Sequence, residues 1–310
     1  MRVFLTGATG FIGSHIIPEL LAAGHDVVGL TRSGEGARKL EQVGVTPRRG
    51  VLEDPTTLAS GAAAADAVIH CAFDHDFSSA EAFEAAIAKD VAAIGVMGEA
   101  LAGSDRPFIV TSGVGFGCRG PGSVATEDYT DWENPNPRIG SERAARDAAD
   151  KGASVAIVRL PQVHDNQRQG LVTPYVAASR ANCTAAYVGD GSNRWSAAHV
   201  SDVARLYLMA LERHEKGAIY NAVGEEGVAF RDIAGAVATG LGVRAKALEQ
   251  DAVGPFFAAV NAGFLTLFIG MDISASSKLT QERLGWGPTG PTLVDDLQSM
   301  DYQPYAMAVA

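Results

Sequence analysis

Residues 2–13 read RVFLTGATGFIG, a short run of apolar and β-branched residues that leads directly into three closely spaced glycines. The run predicts a buried strand over residues 2–6, and the residues from Phe11 onward predict the first helix. A strand, a glycine-rich turn and a helix in immediate succession form the context in which a glycine motif indicates a nucleotide-binding loop. This stretch therefore predicts an α/β fold that begins with a Rossmann unit.

The three glycines have separate expected roles, although their GxxGxxG spacing differs slightly from GxGxxG. Gly7 permits a tight turn, Gly10 removes a Cβ where a diphosphate would approach, and Gly13 lets the helix pack closely on the strand. Unpaired N–H groups at the start of the helix face the same anion. The predicted diphosphate site comprises Gly7, Thr9, Gly10, Phe11, Ile12 and Gly13.

Beyond this loop, short β-branched runs alternate with alanine-rich stretches, the order that requires right-handed crossovers and a parallel sheet. After the first strand, further strands are predicted at 26–31, 45–50, 67–70, 108–112 and 154–160. Helices are predicted at 11–23, 35–43, 55–65, 79–102 and 138–151. Six β units in series predict a Rossmann doubly wound parallel sheet in the N-terminal half.

The rhythm of strands and helices breaks after Leu160, where Pro161 and several glycine-containing loops follow. A helix that Ser201 would cap and a later strand predict a return of the chain to the main domain. The predicted domains are a dinucleotide-binding domain at 1–160 with return segments near 201–223, and a smaller C-terminal substrate lobe at 161–200 and 224–310.

The composition of the 310 residues is that of a folded globular enzyme, with 47% hydrophobic and 20% charged residues. The formal net charge of -11 repels phosphate backbones, so a nucleic acid partner is not expected. The cysteines Cys71, Cys118 and Cys183 are widely spaced, which predicts reduced thiols and no metal site. Because the glycine loop follows the first strand so early, no signal peptide fits and a cytoplasmic location is expected.

The segment Ala252–Met271 is apolar over about the 20 residues that a membrane-spanning helix needs. Pro255, the acidic residues at 249–251 and the lack of a basic flanking cluster argue against a membrane span. The segment therefore predicts a buried helix or one that covers an apolar pocket. No membrane partner is expected.

The end of the second predicted strand reads VGLTRS and carries no carboxylate for the ribose 2′-hydroxyl of NAD. Arg32 lies there, 19 residues after Gly13, where a guanidinium can make paired hydrogen bonds to a 2′-phosphate. The sequence thus favours NADP over NAD. Alternatively, Arg32 is a solvated loop cation, and Arg38 or Lys39 substitutes for it.

The motifs TGATGFIGSH, VIHCAF, VTSG and WSAAHVSDVARLY together resemble the extended short-chain dehydrogenase/reductase family, which includes NAD-dependent epimerases and dehydratases. The resemblance covers nearly the whole chain. It implies the Rossmann fold, a nicotinamide cofactor and a homodimer, and it implies that Ser112 is the family's serine.

One departure from that family concerns its catalytic YxxxK motif, in whose place this chain reads RIGSE. Arg138 stands at the tyrosine position and Glu142 at the lysine position. A guanidinium cannot exchange a proton at neutral pH, but it can donate hydrogen bonds to a carbonyl or a developing oxyanion. Alternatively, Arg138 and Glu142 form a surface ion pair one helical turn apart.

A proton donor must then come from the loops at the carboxyl ends of the strands, where open α/β sheets bind ligands. His75, flanked by two aspartates, and His164, followed by Asp165, are candidates because imidazole titrates near neutrality. Ser112 is another candidate, and a displaced Tyr129 would be a weaker one. The predicted catalytic residues are Ser112, Arg138, His75 and His164.

Other residues at strand ends and in the second half complete the predicted sites. Besides the glycine loop and Arg32, the predicted cofactor contacts are Ala72, Thr111 and Pro161. The predicted substrate contacts are Gly113, Gln162, Arg194 and Trp195, although Trp195 is equally suited to the core.

Three functions are compatible with these observations. The first is an NADP(H)-dependent oxidoreductase that acts on a carbonyl, alcohol or enone of a small apolar metabolite, its apolar segment forming a pocket wall. The second is a non-redox epimerase, dehydratase or cyclase on the same fold. The third is a catalytically silent NADP sensor, which the missing tyrosine and lysine would also explain.

Overall fold

A computed structural model describes residues 1–258, 260 and 262–305. Its centre is a seven-stranded parallel sheet in the order β10-β6-β5-β4-β1-β2-β3. The strands of this sheet are β1 (Arg2–Thr6), β2 (Asp26–Thr31), β3 (Thr46–Arg49), β4 (Ala67–His70), β5 (Pro107–Gly113), β6 (Ser154–Leu160) and β10 (Ile219–Asn221). The predicted Rossmann doubly wound sheet is confirmed, and β10 extends it by one strand beyond the six predicted β units.

Helices cover both faces of this sheet, as the alternation of buried side chains in β1 requires. The helices of this domain are α1 (Phe11–Ala22), α2 (Gly34–Gln42), α3 (Pro55–Ala63), α4 (Ala80–Leu101), α5 (Gly140–Asp150) and α7 (Val200–Glu212). Val3 and Leu5 pack with α1 and α7 on one face, and Phe4 packs with α3, α4 and α5 on the other.

The start of α7 corrects one expectation. His199, not Ser201, is its N-cap residue, because the imidazole accepts the N–H of Ser201, which already lies in the first helical turn. The Ser201 hydroxyl instead lies 2.7 Å from the same ring nitrogen.

A second apolar core lies in the C-terminal part of the chain. It is built on two small sheets, one formed by β7 (Gln162–His164), β9 (Arg194–His199) and β11 (Glu225–Ala229), the other by β8 (Thr184–Val188) and β12 (Arg244–Leu248). The remaining helices are α6 (Val172–Ala181), α8 (Phe230–Leu241), α9 (Gln250–Ala258), α10 (Leu265–Phe268), α11 (Lys278–Leu284) and α12 (Leu293–Ser299). The predicted domain boundaries stay a prediction.

The apolar segment that was expected to form one helix forms two short ones, α9 and α10, with positions 259 and 261 outside the described residues. Phe257 and Leu265 are buried in the second core, whereas Leu267 is 73% exposed. The segment is thus partly buried and partly solvent-facing. Among the helices that the structure describes, none has the length and apolar character to cross a bilayer.

Candidate functional site

The glycine loop between β1 and α1 has the geometry of an anion cradle. Gly7 has φ +72°, and a Cβ there would lie 2.8 Å from the backbone N of Ala72, so a side chain is excluded. A Cβ on Gly13 would overlap the Gly7 carbonyl oxygen, which explains the close packing of the helix. Within the part of the chain that the structure describes, no side chain caps α1, and its first turn holds no acidic residue. The loop therefore offers unpaired backbone N–H groups to an anion, and its shape fits a dinucleotide diphosphate.

Three arginines lie near the end of β2, where the ribose of a dinucleotide would bind. Arg32 is exposed, and its side chain has no hydrogen-bond or ion-pair partner within the described part of the chain. Arg49 donates to the carbonyl oxygen of Arg32 at 3.1 Å. The guanidinium groups of Arg49 and Arg38 also lie 3.3 and 4.0 Å from the position of a Cβ on Gly34. These arginines make a small basic surface beside the predicted cofactor loop.

A buried chain of polar side chains begins at the end of β1, next to the glycine loop. The Thr6 hydroxyl lies 2.7 Å from His70 Nδ1, and His70 Nε2 lies 3.0 Å from Asp90 Oδ1. Burial, the largest influence, raises the pKa of Asp90, but hydrogen bonds and charges from its neighbours together bring that pKa below its ordinary value. An ionised Asp90 only accepts, so His70 Nε2 carries the proton of that bond. Thr6 in turn accepts the N–H of Ala72 at 3.2 Å.

Arg138 is the last, partly exposed member of this chain of polar side chains. It lies in the 3₁₀ turn Pro137–Ile139 just before α5, rather than inside the helix as predicted. Its Nη1 donates to Asp90 Oδ2 at 2.7 Å and contacts the Ser141 hydroxyl, and its guanidinium carbon lies 4.0 Å from the centroid of the Phe73 ring. The side chain is 16% exposed, and its Nε and Nη2 have no acceptor among the described residues. The guanidinium is held firmly and keeps donors free for a ligand.

Glu142 does not pair with Arg138, so the alternative of a surface pair is wrong. Glu142 is fully buried, and Arg159 of β6 binds it through Nε at 2.8 Å and Nη2 at 2.7 Å. The Ser112 hydroxyl donates to the same carboxylate at 2.7 Å. Ser112 and Arg159 are directly opposite each other on the neighbouring strands β5 and β6, which brings both to the buried side of α5.

His75 lies in the loop after β4, in an aromatic cluster that reaches the second core. Its ring makes edge-to-face contacts with Phe73 and Phe77, at centroid distances of 5.4 and 5.8 Å. Phe77 stacks on Phe264, which precedes α10, at 4.6 Å. Desolvation, with a smaller effect from the charge of Arg138, lowers the pKa of His75, so its neutral form predominates at neutral pH.

His164 is placed apart from these groups. It is fully buried, and its Nδ1 lies 2.7 Å from Asp296 Oδ2, while Nε2 has no hydrogen-bond partner within the described residues. Burial lowers the pKa of His164 despite the opposing effect of Asp296. Its catalytic role stays a prediction that this placement does not favour.

Of the predicted substrate contacts, Gln162 and Trp195 are buried and Arg194 lies at the surface. Gln162 is 2% exposed and accepts the N–H of Leu171 at 2.9 Å, so its amide holds a neighbouring loop. Trp195 is 1% exposed and packs edge-to-face on Phe230, which is the core placement that the sequence left open. Arg194 is partly exposed and paired with Asp272 at 3.2 Å.

Thr111 and Gly113 lie at the carboxyl end of β5, and Pro161 follows β6, while their contacts with a cofactor or substrate stay a prediction. Thr111 donates to the carbonyl oxygen of His70 and contacts the Tyr207 hydroxyl, each at 2.7 Å. A Cβ on Gly113 would meet open space, and Pro161 joins β6 to β7. Burial raises the pKa of the nearby Cys71 thiol to about 11, so this cysteine is protonated at neutral pH.

Sequence reasoning missed four polar residues around the site. Asp90 and Arg159 lie in stretches assigned only to a helix and a strand, and a charged residue inside such an apolar stretch was the available signal. Arg49 lies at the end of β3. The guanidinium carbon of Arg168 lies 6.0 Å from the ring centroid of Phe11, the first residue of α1. The two residues are far apart in sequence, so only the fold brings the loop of Arg168 next to α1.

Comparisons with known proteins identify the family of this chain. The model of the NAD dependent epimerase/dehydratase family matches residues 3–223. An uncharacterised protein of Schizosaccharomyces pombe is 42% identical, over 97% of this chain and 100% of its own length. The sterol-4-alpha-carboxylate 3-dehydrogenase (decarboxylating) of Dictyostelium discoideum is 27% identical, over 74% of this chain and 73% of its own length.

A solved structure, the UDP-glucuronic acid 4-epimerase of Bacillus cereus in complex with UDP-glucuronic acid and NAD, superposes with a TM-score of 0.74. It is 20% identical and covers 100% of both chains, so it shows the fold alone. The family match spans the glycine loop, the Ser112 strand and the return to the main sheet at β10. From its sequence and its fold, this chain belongs to the NAD dependent epimerase/dehydratase family.

Proposed function

We propose that this protein is an NADP(H)-dependent oxidoreductase that acts on a carbonyl, alcohol or enone of a small apolar metabolite. The observation that carries the proposal is Arg138, whose guanidinium is fixed by Asp90 and Phe73 yet keeps unpaired donors. Fixed donors of this kind stabilise the negative charge that develops on a carbonyl oxygen during reduction. The similarity to a 3-dehydrogenase supports the same class of reaction.

The glycine loop is the proposed site of the dinucleotide diphosphate. The absence of side chains at Gly7 and Gly13 and the uncapped start of α1 support this assignment. Phe11 and Ile12 would donate their backbone N–H groups to the phosphates. When bound, the nicotinamide ring would supply or accept the hydride.

The preference for NADP over NAD rests on the arginines at the end of β2. Arg32 is exposed and unpaired within the described residues, and Arg38 and Arg49 lie beside Gly34. Guanidinium groups bind phosphate with paired hydrogen bonds, and no carboxylate stands at the strand end for a ribose 2′-hydroxyl. The test is calorimetric titration of wild type and Arg32→Ala with NADPH and NADH. We expect the variant to lose about tenfold or more in NADPH affinity with unchanged NADH affinity, and equal losses for both would contradict the proposal.

The proposed mechanism divides the work between two groups of the chain. Arg138 would hold and polarise the substrate oxygen, since it cannot lose a proton at neutral pH. His75 would hold the proton that the reduced oxygen takes up. Because the pKa of His75 lies below its ordinary value of 6.5, the protonated fraction of this group grows as the pH falls below 6.5, and carbonyl reduction should speed up in that direction. A flat pH profile in wild type would exclude His75 as the donor.

The apolar character of the proposed substrate rests on the aromatic cluster between the loop after β4 and the second core. Phe73, Phe77 and Phe264 present rings in succession along this boundary. Such a wall offers dispersion contacts and few hydrogen bonds, which suits an apolar compound better than a nucleotide sugar.

One assay separates this proposal from its alternatives. Purified protein is incubated with NADPH and a panel of carbonyl and enone compounds, while the absorbance of the reduced cofactor is followed. Turnover supports the oxidoreductase. Product formation with unchanged NADPH would instead support the non-redox epimerase, dehydratase or cyclase, and tight NADPH binding without any conversion would support the sensor.

A further inference from the structure

The glycine loop that forms the proposed diphosphate site carries no cation of its own. Residues 7–13 include no lysine or arginine, so the loop would meet the phosphates with backbone N–H groups alone. A dinucleotide diphosphate is negatively charged on both phosphates, and guanidinium groups bind such oxygens with paired hydrogen bonds. The three arginines near the end of β2 lie where the ribose would bind. A cation beside the first turn of α1 would balance the charge that the loop leaves uncompensated.

The loop 165–170, which follows β7, brings such a cation to α1. The guanidinium carbon of Arg168 lies 6.0 Å from the ring centroid of Phe11, the first residue of α1. In the same loop, Asp165 Oδ2 lies 3.9 Å from Nε2 of His15, which follows one turn further along α1. The His15 ring belongs to that first turn as well, because its Nδ1 donates to the Phe11 carbonyl oxygen at 2.8 Å. Two side chains of the loop therefore face the same end of α1.

The backbone of this loop is fixed by its own hydrogen bonds. Asp165 Oδ1 accepts the N–H groups of Gln167 and Arg168 at 2.7 and 2.5 Å. The N–H of Asp165 donates to the carbonyl oxygen of Arg168 at 2.8 Å. The buried side chain of Gln169 donates to the carbonyl oxygen of Asp165. The Arg168 backbone is thus held beside α1, and only its side chain has to be ordered when a ligand binds.

The guanidinium of Arg168 is available to a ligand. It is exposed, and within the described part of the chain it has no hydrogen-bond or ion-pair partner. Asp165 does not bind it, since that carboxylate accepts from the loop backbone and faces His15. The contact with Phe11 is at the outer limit of a cation–π interaction, about 6 Å, and uses none of the N–H donors.

We propose that Arg168 is a second diphosphate-binding group, whose guanidinium pairs with the phosphates that the backbone N–H groups at the start of α1 would hold. This inference rests on the proposed function and deepens it by adding a residue from outside the glycine loop to the cofactor site. The bound cofactor would then connect the loop after β7 to the first helix. Because NADPH and NADH both carry the diphosphate, Arg168 should contribute equally to the binding of both, in contrast to Arg32.

The test measures the binding of NADPH and of NADH by calorimetry, at about 0.1 M and at about 1 M NaCl, between which the range of charge interactions falls from about 10 Å to about 3 Å. Arg168→Ala should lower the affinity for both nucleotides about tenfold at the lower salt concentration, the effect of losing a charged hydrogen-bonding group. At the higher concentration the loss should shrink to about threefold or less. Gln167→Ala is the matched control, because Gln167 is the neighbouring exposed residue and bonds Asp165 only through its backbone N–H, and it should bind both nucleotides like wild type.

Two further variants separate the charge of Arg168 from its packing on Phe11. Arg168→Lys keeps the positive charge and should bind both nucleotides within about threefold of wild type. Arg168→Met keeps an apolar side chain that can contact Phe11 and should bind as weakly as Arg168→Ala. Wild-type affinity in Arg168→Met or in Arg168→Ala, or a loss confined to NADPH, would each overturn the inference.

The same measurements distinguish a failure of the inference from a failure of the proposed function. Wild-type protein that binds neither nucleotide would overturn both. Nucleotide binding that depends on Arg168, without turnover of any carbonyl compound, would support the inference and count against the oxidoreductase. Turnover by a protein whose affinity for both nucleotides is unchanged in Arg168→Ala would do the reverse.

Discussion

Two buried carboxylates of this protein, Asp90 and Glu142, are each bound by one arginine and one serine, yet the two regions differ in what they leave unpaired. Arg159 uses all three of its guanidinium nitrogens on Glu142 and on the segment 126–130, and it is fully buried. Arg138 binds Asp90 through one nitrogen, and its side chain is 16% exposed. Both arginines form an ion pair, so the ion pair does not distinguish them. What distinguishes an arginine available to a ligand from a structural one is the number of its guanidinium donors that remain without an acceptor.

The largest expected effect is on stability and concerns Glu142 and Arg159, here called the closed pair because Arg159 keeps no nitrogen free for a ligand. Glu142→Ala should lower the free energy of unfolding by about 3–5 kcal/mol, because Arg159 would remain buried without its partner. The double variant Glu142→Leu/Arg159→Met should recover most of that loss, since it removes both charges. Urea denaturation of the wild type and both variants measures this. A double variant as unstable as the single one would contradict the closed-pair interpretation.

The second effect is on activity and concerns Asp90 and Arg138, here called the open pair because Arg138 keeps two nitrogens without an acceptor among the described residues. Arg138→Ala should reduce kcat/KM about 10²–10³-fold, as the loss of an oxyanion donor does elsewhere. Its cost in stability should be smaller, about 1–2 kcal/mol, because Asp90 keeps His70 and Ser141 as partners. Steady-state kinetics and denaturation of the same preparations measure both effects. Unchanged kinetics would make Arg138 structural and remove the contrast between the two pairs.

A smaller effect is expected for Ser141, which donates to Asp90 and contacts Arg138. Ser141→Ala changes no charge but loosens the guanidinium, so we expect a fall in kcat of about 3–10-fold, the worth of roughly one hydrogen bond. NADPH affinity should stay the same. Ser154→Ala is the matched control, because among the described residues the Ser154 side chain bonds only His214, and Ser154 lies at the opposite end of β6 from Arg159. Equal kinetics for both variants would separate Ser141 from the active site.

The smallest expected effect concerns His164, outside both pairs. Its pKa in the folded protein lies below the ordinary value of 6.5 because of burial, so the unfolded chain binds the proton more readily. The contribution to stability is therefore intact above that value and is lost as the pH falls through 6.5 toward the folded pKa. Denaturation between pH 5 and 8, roughly the range in which histidine titrates, should show this slope, and His164→Gln should flatten it. An unchanged slope in the variant would assign the effect to other groups.

Local sequence was enough to predict the first strand, the glycine-rich turn and the parallel, doubly wound character of the central sheet. The bounds predicted for β1, β2, β4 and β6 match the structure, because each is a short apolar run closed by turn residues that act locally. The glycines at Gly7 and Gly13 could likewise be assigned from spacing alone, since only a residue without a side chain fits those positions.

The tertiary structure alone decided which charged groups meet. The sequence suggested a pair between Arg138 and Glu142, which are one turn apart, but α5 turns Glu142 into the interior, where Arg159 of β6 reaches it. Asp90 binds Arg138, which lies 48 residues further along the chain. Partners of this kind depend on which helix faces and strands pack together, and a charge that becomes buried must bind whatever opposite charge the packing brings within reach. For that reason the glycine loop could be predicted from local sequence, while the charged partners of Asp90 and Glu142 could not.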